Sequence, residues 1–341
     1  VVLCMVIGTA IGTLVPALTD ALEKATVSGV WIPGVVLVWL MIYPMMLGVR
    51  WSALKEVGKH PTGLILTTTI NWAVQPFVMY GLAVLFFDMV YSGVLSPEEQ
   101  SQYISGAVIL GGSPCTAMVF VWSSMADGNP TYTLIQVLLN DLILLILYVP
   151  TTKLLLSISD IILPWDTVFL SVVLFVVVPG LFGVATHLIA TGQGDYASLE
   201  QVKRISKPIS AASLLLLVAF IFVSQAQVIK SNWVHILLII VPLVLQTTAI
   251  FVLAYSSAYG LCLEHNIAGP AAFIGSSNFF ELAVALALTL YGPQSAAVLV
   301  TVVGVLVEVP VMLIEVAIVK ATKQRFDRRM IDQSCYCNKE D

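Results

Sequence analysis

Long apolar runs separated by short polar breaks dominate the chain, and their lengths predict its elements. Runs near 1–18, 33–49, 61–87, 104–125, 131–150, 165–190, 208–224, 233–258, 268–290 and 293–319 approach the roughly 20 residues that carry a helix across a bilayer at about 1.5 Å per residue. Turn signals divide them: Ser96-Pro97-Glu98-Glu99, Asp127-Gly128-Asn129-Pro130, Leu163-Pro164 and Gly292-Pro293 each join a helix breaker to neighbours that favour a turn. The pattern predicts an all-α integral membrane protein of ten transmembrane helices, with both termini on the same side.

Two of the runs are interrupted from within. The stretch from Leu110 to Pro130 opens on Gly111-Gly112-Ser113-Pro114 and then presents Cys115, while Ile274 to Pro293 opens on Gly275-Ser276 and continues through Asn278 and Glu281. Opened backbone at membrane depth is tolerated only where it is buried in protein or lines a cavity, so each break marks a site. Recurring offsets relate the two halves. Gln75 and Gln246 are 171 residues apart, as are Gly12 and Gly183; Gly112-Ser113 and Gly275-Ser276 are 163 apart, as are Pro130 and Pro293. These offsets predict one five-helix repeat over 1–160 and a second over 161–322, followed by a cytoplasmic tail at 323–341. Five is odd, so the second repeat enters from the opposite side and is inverted. The broken fourth and ninth helices are then expected to cross near the midplane.

Composition agrees. At 59% hydrophobic and 10% charged residues, with a mean hydropathy of +0.97, the chain lies far from the roughly 25% charged content of soluble domains, and no nucleic-acid partner is expected. Orientation follows from where Lys and Arg sit, not from their sum. Arg50, Lys55, Lys59, Lys203, Arg204, Lys207, Lys320, Lys323, Arg325, Arg328, Arg329 and Lys339 fall on one face of the expected topology, and only Lys24, Lys153 and Lys230 on the other. The richer face is expected to be cytoplasmic, with both termini there, in the plasma membrane. Five scattered cysteines imply no disulfide framework. The four histidines, His60, His187, His235 and His265, sit near span ends without metal-ligand spacing. The chain opens at Val1 inside an apolar run, so a short preceding segment is expected.

Within this frame a few side chains can carry chemistry. Cys115 follows Pro114 at the expected start of a half-helix, where exposed N–H groups and the helix dipole favour a thiolate. Trp122, seven residues on, shares its helical face and can wall a site. Glu281 lies in apolar surroundings, and an ionisable group inside a span is costly enough to be a functional candidate by default. It can bind and release a proton. Asn278 precedes it by one turn. Asn71 and Gln75, Asn140 and Asp141, and Ser276 are expected as supporting polar groups facing the bundle, because polar groups at that depth need partners. Glu308 is read as capping a kink at Pro310, and Glu315 as reaching water near the cytoplasmic end. Cys335 and Cys337 belong to the tail, expected to be disordered and reduced.

Several segments together, Pro114-Cys115-Thr116-Ala117-Met118-Val119-Phe120-Val121-Trp122, Asn140-Asp141, Asn71-Trp72, Ser277-Asn278-Phe279-Phe280-Glu281-Leu282 and Leu306-Val307-Glu308-Val309-Pro310, resemble the arsenical-resistance arsenite-efflux permeases of the bile acid/arsenite/riboflavin transporter superfamily. The resemblance runs through essentially the whole chain. It implies two inverted repeats forming a panel and a core subdomain, and export of arsenite coupled to proton entry. It implies Cys115 and Glu281 as the key transport positions, with Asn278, Asn140, Trp122 and Asn71 supporting them. Many members carry Arg before the cysteine, where this chain has Pro114.

Chemistry agrees with the resemblance. A soft thiolate suits a soft metalloid, and one thiolate releases it where a three-cysteine cage would trap it. The expected substrate-binding set is Ser113, Cys115, Trp122 and Asn278, with Glu281 for proton coupling. Arsenite is the expected cargo, antimonite an open second one, protons the coupling ion; no cofactor and no resident metal are expected. The alternative is a sodium-coupled organic-anion symporter of the same superfamily, with Asn278 and Ser276 as oxygen ligands. An enzyme is disfavoured, since Asp141 is a lone intramembrane aspartate where an aspartyl protease needs two.

Overall fold

The computed structural model describes residues 2–15, 17–18, 26–27, 30–47, 61–115, 118–158, 170, 173–192, 196–231, 233–278, 280–292 and 295–337. Lys24, Arg50, Lys55, Lys59, His60, Thr116, Ala117, Pro164, Phe279, Pro293 and Lys339 lie outside them, as do the side chains of Lys207, Glu281, Cys335 and Cys337.

In chain order the helices are α1 (Val2–Leu14), α2 (Ile32–Leu47), α3 (Pro61–Val90), α4 (Pro97–Gly111), α5 (Val119–Met125), α6 (Pro130–Ile158), α7 (Val178–Gly192, after a π turn at Val173–Val177), α8 (Tyr196–Ser224), α9 (Ala226–Ser231), α10 (Trp233–Gly260), α11 (His265–Ser276), α12 (Phe280–Tyr291) and α13 (Ala296–Cys337). One small antiparallel ladder joins β1 (Thr26–Val27) to β2 (Val30–Trp31). Nearly everything described is helical because a lipid-embedded backbone must satisfy its own hydrogen bonds. Among the described residues five helices, Pro61–Val90, Pro130–Ile158, Leu199–Ser224, Trp233–Gly260 and Ala296–Arg329, are long and apolar enough to cross a membrane, and shorter apolar helices accompany them. Their outward faces carry large apolar side chains such as Leu3, Ile65, Ile146, Leu181, Phe182 and Ile314, all more than half exposed, a surface that suits lipid and not water. The protein is a multi-pass membrane protein.

The helices pack in two groups. In the first, α2 lies against α7 and α8, and α1 lies along α8. Gly8 and Gly12, one turn apart, make that last contact possible: a Cβ on either would stand 2.6 Å from Ala219 O and 2.3 Å from Val223 O, respectively. This is the small-residue approach that draws membrane helices together. Trp39 Nε1 donates to Leu174 O at 2.8 Å, and His187 Nδ1 lies 3.0 Å from Leu47 O. The second group packs α3, α4, α6, α10, α11, α12 and α13 around the two breaks. Tyr132 OH on α6 bonds Gly63 O at 2.9 Å and Thr67 Oγ1 at 2.8 Å on α3. Contacts between the groups run through β2 and α2 against α12, through the Val173–Val177 turn against α6, and through α9, which joins α1 and α8, against α10.

Three features depart from the expected boundaries. α4 starts at Pro97, earlier than the apolar run, because Ser96 and Glu99 close a capping box. The helix of the third span passes through π turns at Ile70–Val74 and Val84–Val90. And α13 continues as helix past 323 to Cys337, with Phe326 buried among Tyr255, Tyr259 and His265 and Arg329 stacked 4.2 Å over the Tyr259 ring.

Candidate functional site

The first break forms where α4 runs out of helix. Gly111 ends it, pressed so close to α3 that a Cβ there would lie 2.5 Å from Met79 Cβ. Gly112 N still reaches Val108 O at 2.9 Å, and Ser113 Oγ turns back to donate to Ile109 O at 3.3 Å and Leu110 O at 3.2 Å. These bonds absorb carbonyls that the helix end would leave orphaned in a buried place. Tyr148 OH on α6 covers Ile109 O at 3.1 Å as well.

The second break forms between α11 and α12, and the two breaks meet. Pro114 and Asn278 form an isolated antiparallel bridge, and Cys115 N donates to Ser277 O at 3.2 Å. Two short extended segments thus give each other the partners that a helix would otherwise supply. The bridge uses the N–H of Cys115 and asks nothing of residue 114, which is why proline, lacking an N–H, fits there. Cys115, Ser113, Ser276 and Ser277 are wholly buried, and Asn278 nearly so. Cys115 lies before the half-helix, which starts at Val119, so its N–H is spent on the opposite break and is not offered to a ligand.

Other expected residues assemble around this crossing to different degrees. Gln75 on α3 donates through Nε2 to Asn278 Oδ1. Its own Oε1 has no partner among the described residues. Asn71, in the π turn, flanks the second break, with Oδ1 3.7 Å from where a Gly275 Cβ would sit and both amide atoms without partners among the described residues. Trp122 is buried on α5, its Nε1 likewise without a partner among the described residues. Asn140 takes part in a different chain: Gln136 Nε2 bonds Asn140 Oδ1 at 3.3 Å and Thr68 Oγ1 at 3.0 Å, tying α6 to α3, with Asp141 buried beside it. Glu281 occupies the first turn of α12.

Two carboxylates that sequence reasoning set aside belong to the same neighbourhood. Ser277 Oγ donates to Glu308 Oε1, and Ser276 Oγ donates to Glu315 Oε2 at 3.0 Å. Glu308 is therefore a partner of the break and not a cap for Pro310, through which α13 runs unbroken. Glu315, expected to reach water, is 2% exposed. A signal existed in the sequence: two acids seven residues apart fall on one helical face two turns apart, opposite two adjacent serines.

The family model described as the sodium bile acid symporter family matches residues 35–232. A protein named arsenical-resistance protein Acr3 from Alkaliphilus metalliredigens is 47% identical over 95% of this chain and 91% of its own length. This chain belongs to the arsenical-resistance branch of the sodium bile acid symporter family. An arsenical-resistance protein Acr3 from Corynebacterium glutamicum is 27% identical over 92% of this chain and 85% of its own length, and an uncharacterized transporter of Synechocystis, slr0944, is 38% identical over 96% of this chain and 88% of its own length. The family model spans the first break and much of the first packing group, while the relatives are matched over nearly the whole chain.

Proposed function

We propose that this protein is a secondary active transporter that exports arsenite from the cytoplasm in exchange for protons, conferring arsenic resistance. The observation that carries the reading is the bridge between the breaks, beside which the buried Cys115 lies. The 47% identity to a protein named for arsenical resistance supports the cargo. On this reading arsenite binds Cys115 with Ser113, Trp122 and Asn278 around it, while Asn71, Gln75, Asn140, Asp141 and Ser276 hold the frame. Glu281 carries the proton. Neutral arsenite gains nothing from membrane potential, whereas one proton entering supplies about 2.3 kcal/mol per 100 mV, enough for a roughly fifty-fold gradient.

The architecture that fits is ten spans in two inverted repeats, 1–160 and 161–322. The group around α1, α2, α7 and α8 is the panel, and the group around the breaks is the core. Both termini are cytoplasmic, and the core rocks against the panel to expose the crossing alternately. Among the described residues few contacts join the groups, which favours such motion. The test is arsenite uptake into everted membrane vesicles. Cys115→Ser and Glu281→Gln should each abolish it, and full transport by both variants sinks the proposal. The sodium-coupled organic-anion reading draws on the oxygens of Ser276, Asn278 and Gln75 at the second break; it requires sodium-dependent uptake that ignores Cys115→Ser.

A further inference from the structure

A file of polar groups runs along one face of α13, away from the crossing, and cargo recognition at Cys115 makes no use of it. Glu308 accepts from Ser277, Glu315 accepts from Ser276 at 3.0 Å, Val319 O lies 2.9 Å from His265 Nε2, and Thr322 Oγ1 lies 2.6 Å from Tyr255 OH. Positions 308, 315, 319 and 322 share a face by helical spacing. The file faces α11 and α10, and on the proposed topology it leads from the breaks to the cytoplasm.

Glu315 stands in the middle of this file. It is 2% exposed, its Oε2 has one donor, and its Oε1 has no partner among the described residues. No ion pair reaches it among the described residues, although a buried charge needs a counter-charge. The groups facing α13 from its neighbours are few. α11 brings His265, α10 brings Tyr255 and, farther along, Tyr259 against Phe326, and α13 itself brings Glu308, its cations starting at the exposed Lys320, five residues from Glu315 and off its face. α12 carries Glu281, and α5 has no titratable residue, though Cys115 precedes it. On α4, Glu98, Glu99 and Tyr103 lie at the far end, since Gly106 packs on Ala297 and Gly304 on Leu110, which makes the two helices parallel. A proton is therefore the counter-charge this pocket leaves room for. His265 comes next: Val319 is one turn beyond Glu315, about 6 Å along the axis. A carbonyl can only accept, so Nε2 carries the hydrogen and Nδ1 is the basic nitrogen.

We infer that Glu315 is a second proton-binding group, the station through which the exchanged proton leaves the breaks toward His265 and the cytoplasm. The step is a transfer only: Glu315 takes a proton from the crossing, gives it up on the cytoplasmic side through His265 Nδ1, and returns to the carboxylate. This rests on the proton-exchange reading above. The test compares wild type, Glu315→Gln and Glu315→Asp in everted vesicles by three readouts: accumulation of arsenite driven by an imposed pH gradient, its pH profile, and gradient-free counterflow of labelled arsenite. Glu315→Gln should keep counterflow yet lose about tenfold or more of gradient-driven accumulation, with a flattened pH profile, and Glu315→Asp should restore most of it. A Glu315→Gln protein that accumulates arsenite with the wild-type pH profile overturns the inference. So does one that loses counterflow and accumulation alike without rescue by aspartate, which makes the Ser276 contact merely structural. Wild-type vesicles that accumulate arsenite without moving protons overturn the exchange reading, and Glu315's role falls with it.

Discussion

The hydrogen bond from Gln75 to Asn278 offers the sharpest test of whether the crossing is built as argued. Gln75 is wholly buried at the start of the α-helical stretch that follows the π turn of α3, and its Nε2 is the donor to Asn278 Oδ1. Gln75→Leu keeps most of the volume, so the packing cost is small, but it leaves a buried acceptor without its donor, a loss of about 1–3 kcal/mol. Asn278 is bridged to Pro114, and its neighbour Ser277 holds the N–H of Cys115. A shift of Asn278 therefore moves the backbone on which the thiol sits. If that energy is lost from the arsenite-competent geometry, affinity should fall about 5- to 150-fold, at 1.36 kcal/mol per tenfold. The unfolding midpoint of so large a chain should drop by no more than a few degrees. Calorimetric titration of arsenite into purified protein, with thermal unfolding on the same sample, reads both. A double-mutant cycle with Asn278→Ala should return a coupling of about 1 kcal/mol or more. Wild-type affinity in Gln75→Leu, or strict additivity in the cycle, refutes the idea that Gln75 sets Asn278.

Three further outcomes are expected. Gly12→Leu should force α1 off α8, because its Cβ has 2.3 Å to Val223 O, and should lower the thermal midpoint well beyond Gly192→Leu, where nothing lies within 4 Å. Pro114→Ala should keep transport within about fivefold of wild type, the scale of losing up to ~1 kcal/mol of unfolded-chain restriction, since the bridge uses the next residue's N–H. At the start of α4, the Ser96 backbone N–H and then its hydroxyl hold the Glu99 carboxyl below the usual carboxylate range. A depressed folded value contributes stability above the unfolded value near pH 4.3 and loses it as pH falls through the folded one. Ser96→Ala should thus cost about 1 kcal/mol near neutrality and make unfolding less sensitive to acid, as a thermal melt series in pH would read.

The breaks were legible because glycine, serine and proline stand out in an apolar background, and each marks a place where helical hydrogen bonds must stop. Gly112-Ser113-Pro114 and Gly275-Ser276 announced the two segments that now form one bridge. What they did not announce was which backbone atoms would pair, since that depends on the register of two segments far apart in sequence. The π turn holding Asn71 left no compositional trace, because one extra residue in a helical turn changes hydrogen bonding and not polarity. Glu315 was misjudged for another reason: distance from the span centre suggested water, but α11 lies alongside α13 there and supplies Ser276. The extension of α13 past 323 was hidden by its charges, which read as a tail although Lys, Arg and Gln are good helix formers and Phe326 gives the turn a buried anchor.

The two breaks share a grammar yet spend their hydroxyls in opposite directions. Ser113 folds back on the carbonyls of its own helix, Ile109 and Leu110. Ser276 and Ser277 reach outward, each to a carboxylate on α13. The first break therefore satisfies its own helix end locally and brings a sulfur to the crossing. The second gives its serines to acidic groups, so its position and their protonation are linked: adding or removing a proton at either carboxylate changes what the serine oxygens can donate to. Because Cys115 N is bonded to Ser277 O, that change acts on the backbone carrying the thiol through a single peptide segment. On the proposed exchange reading, cargo and proton need not meet at one atom to be coupled. Replacing Ser277 by Ala separates the two roles: it should leave the backbone bridge and arsenite binding within a few-fold of wild type, the scale of ~1 kcal/mol for one hydrogen bond. It should also weaken the dependence of arsenite affinity on pH. Unchanged pH dependence in that variant would cut the link between the serine and the cargo site.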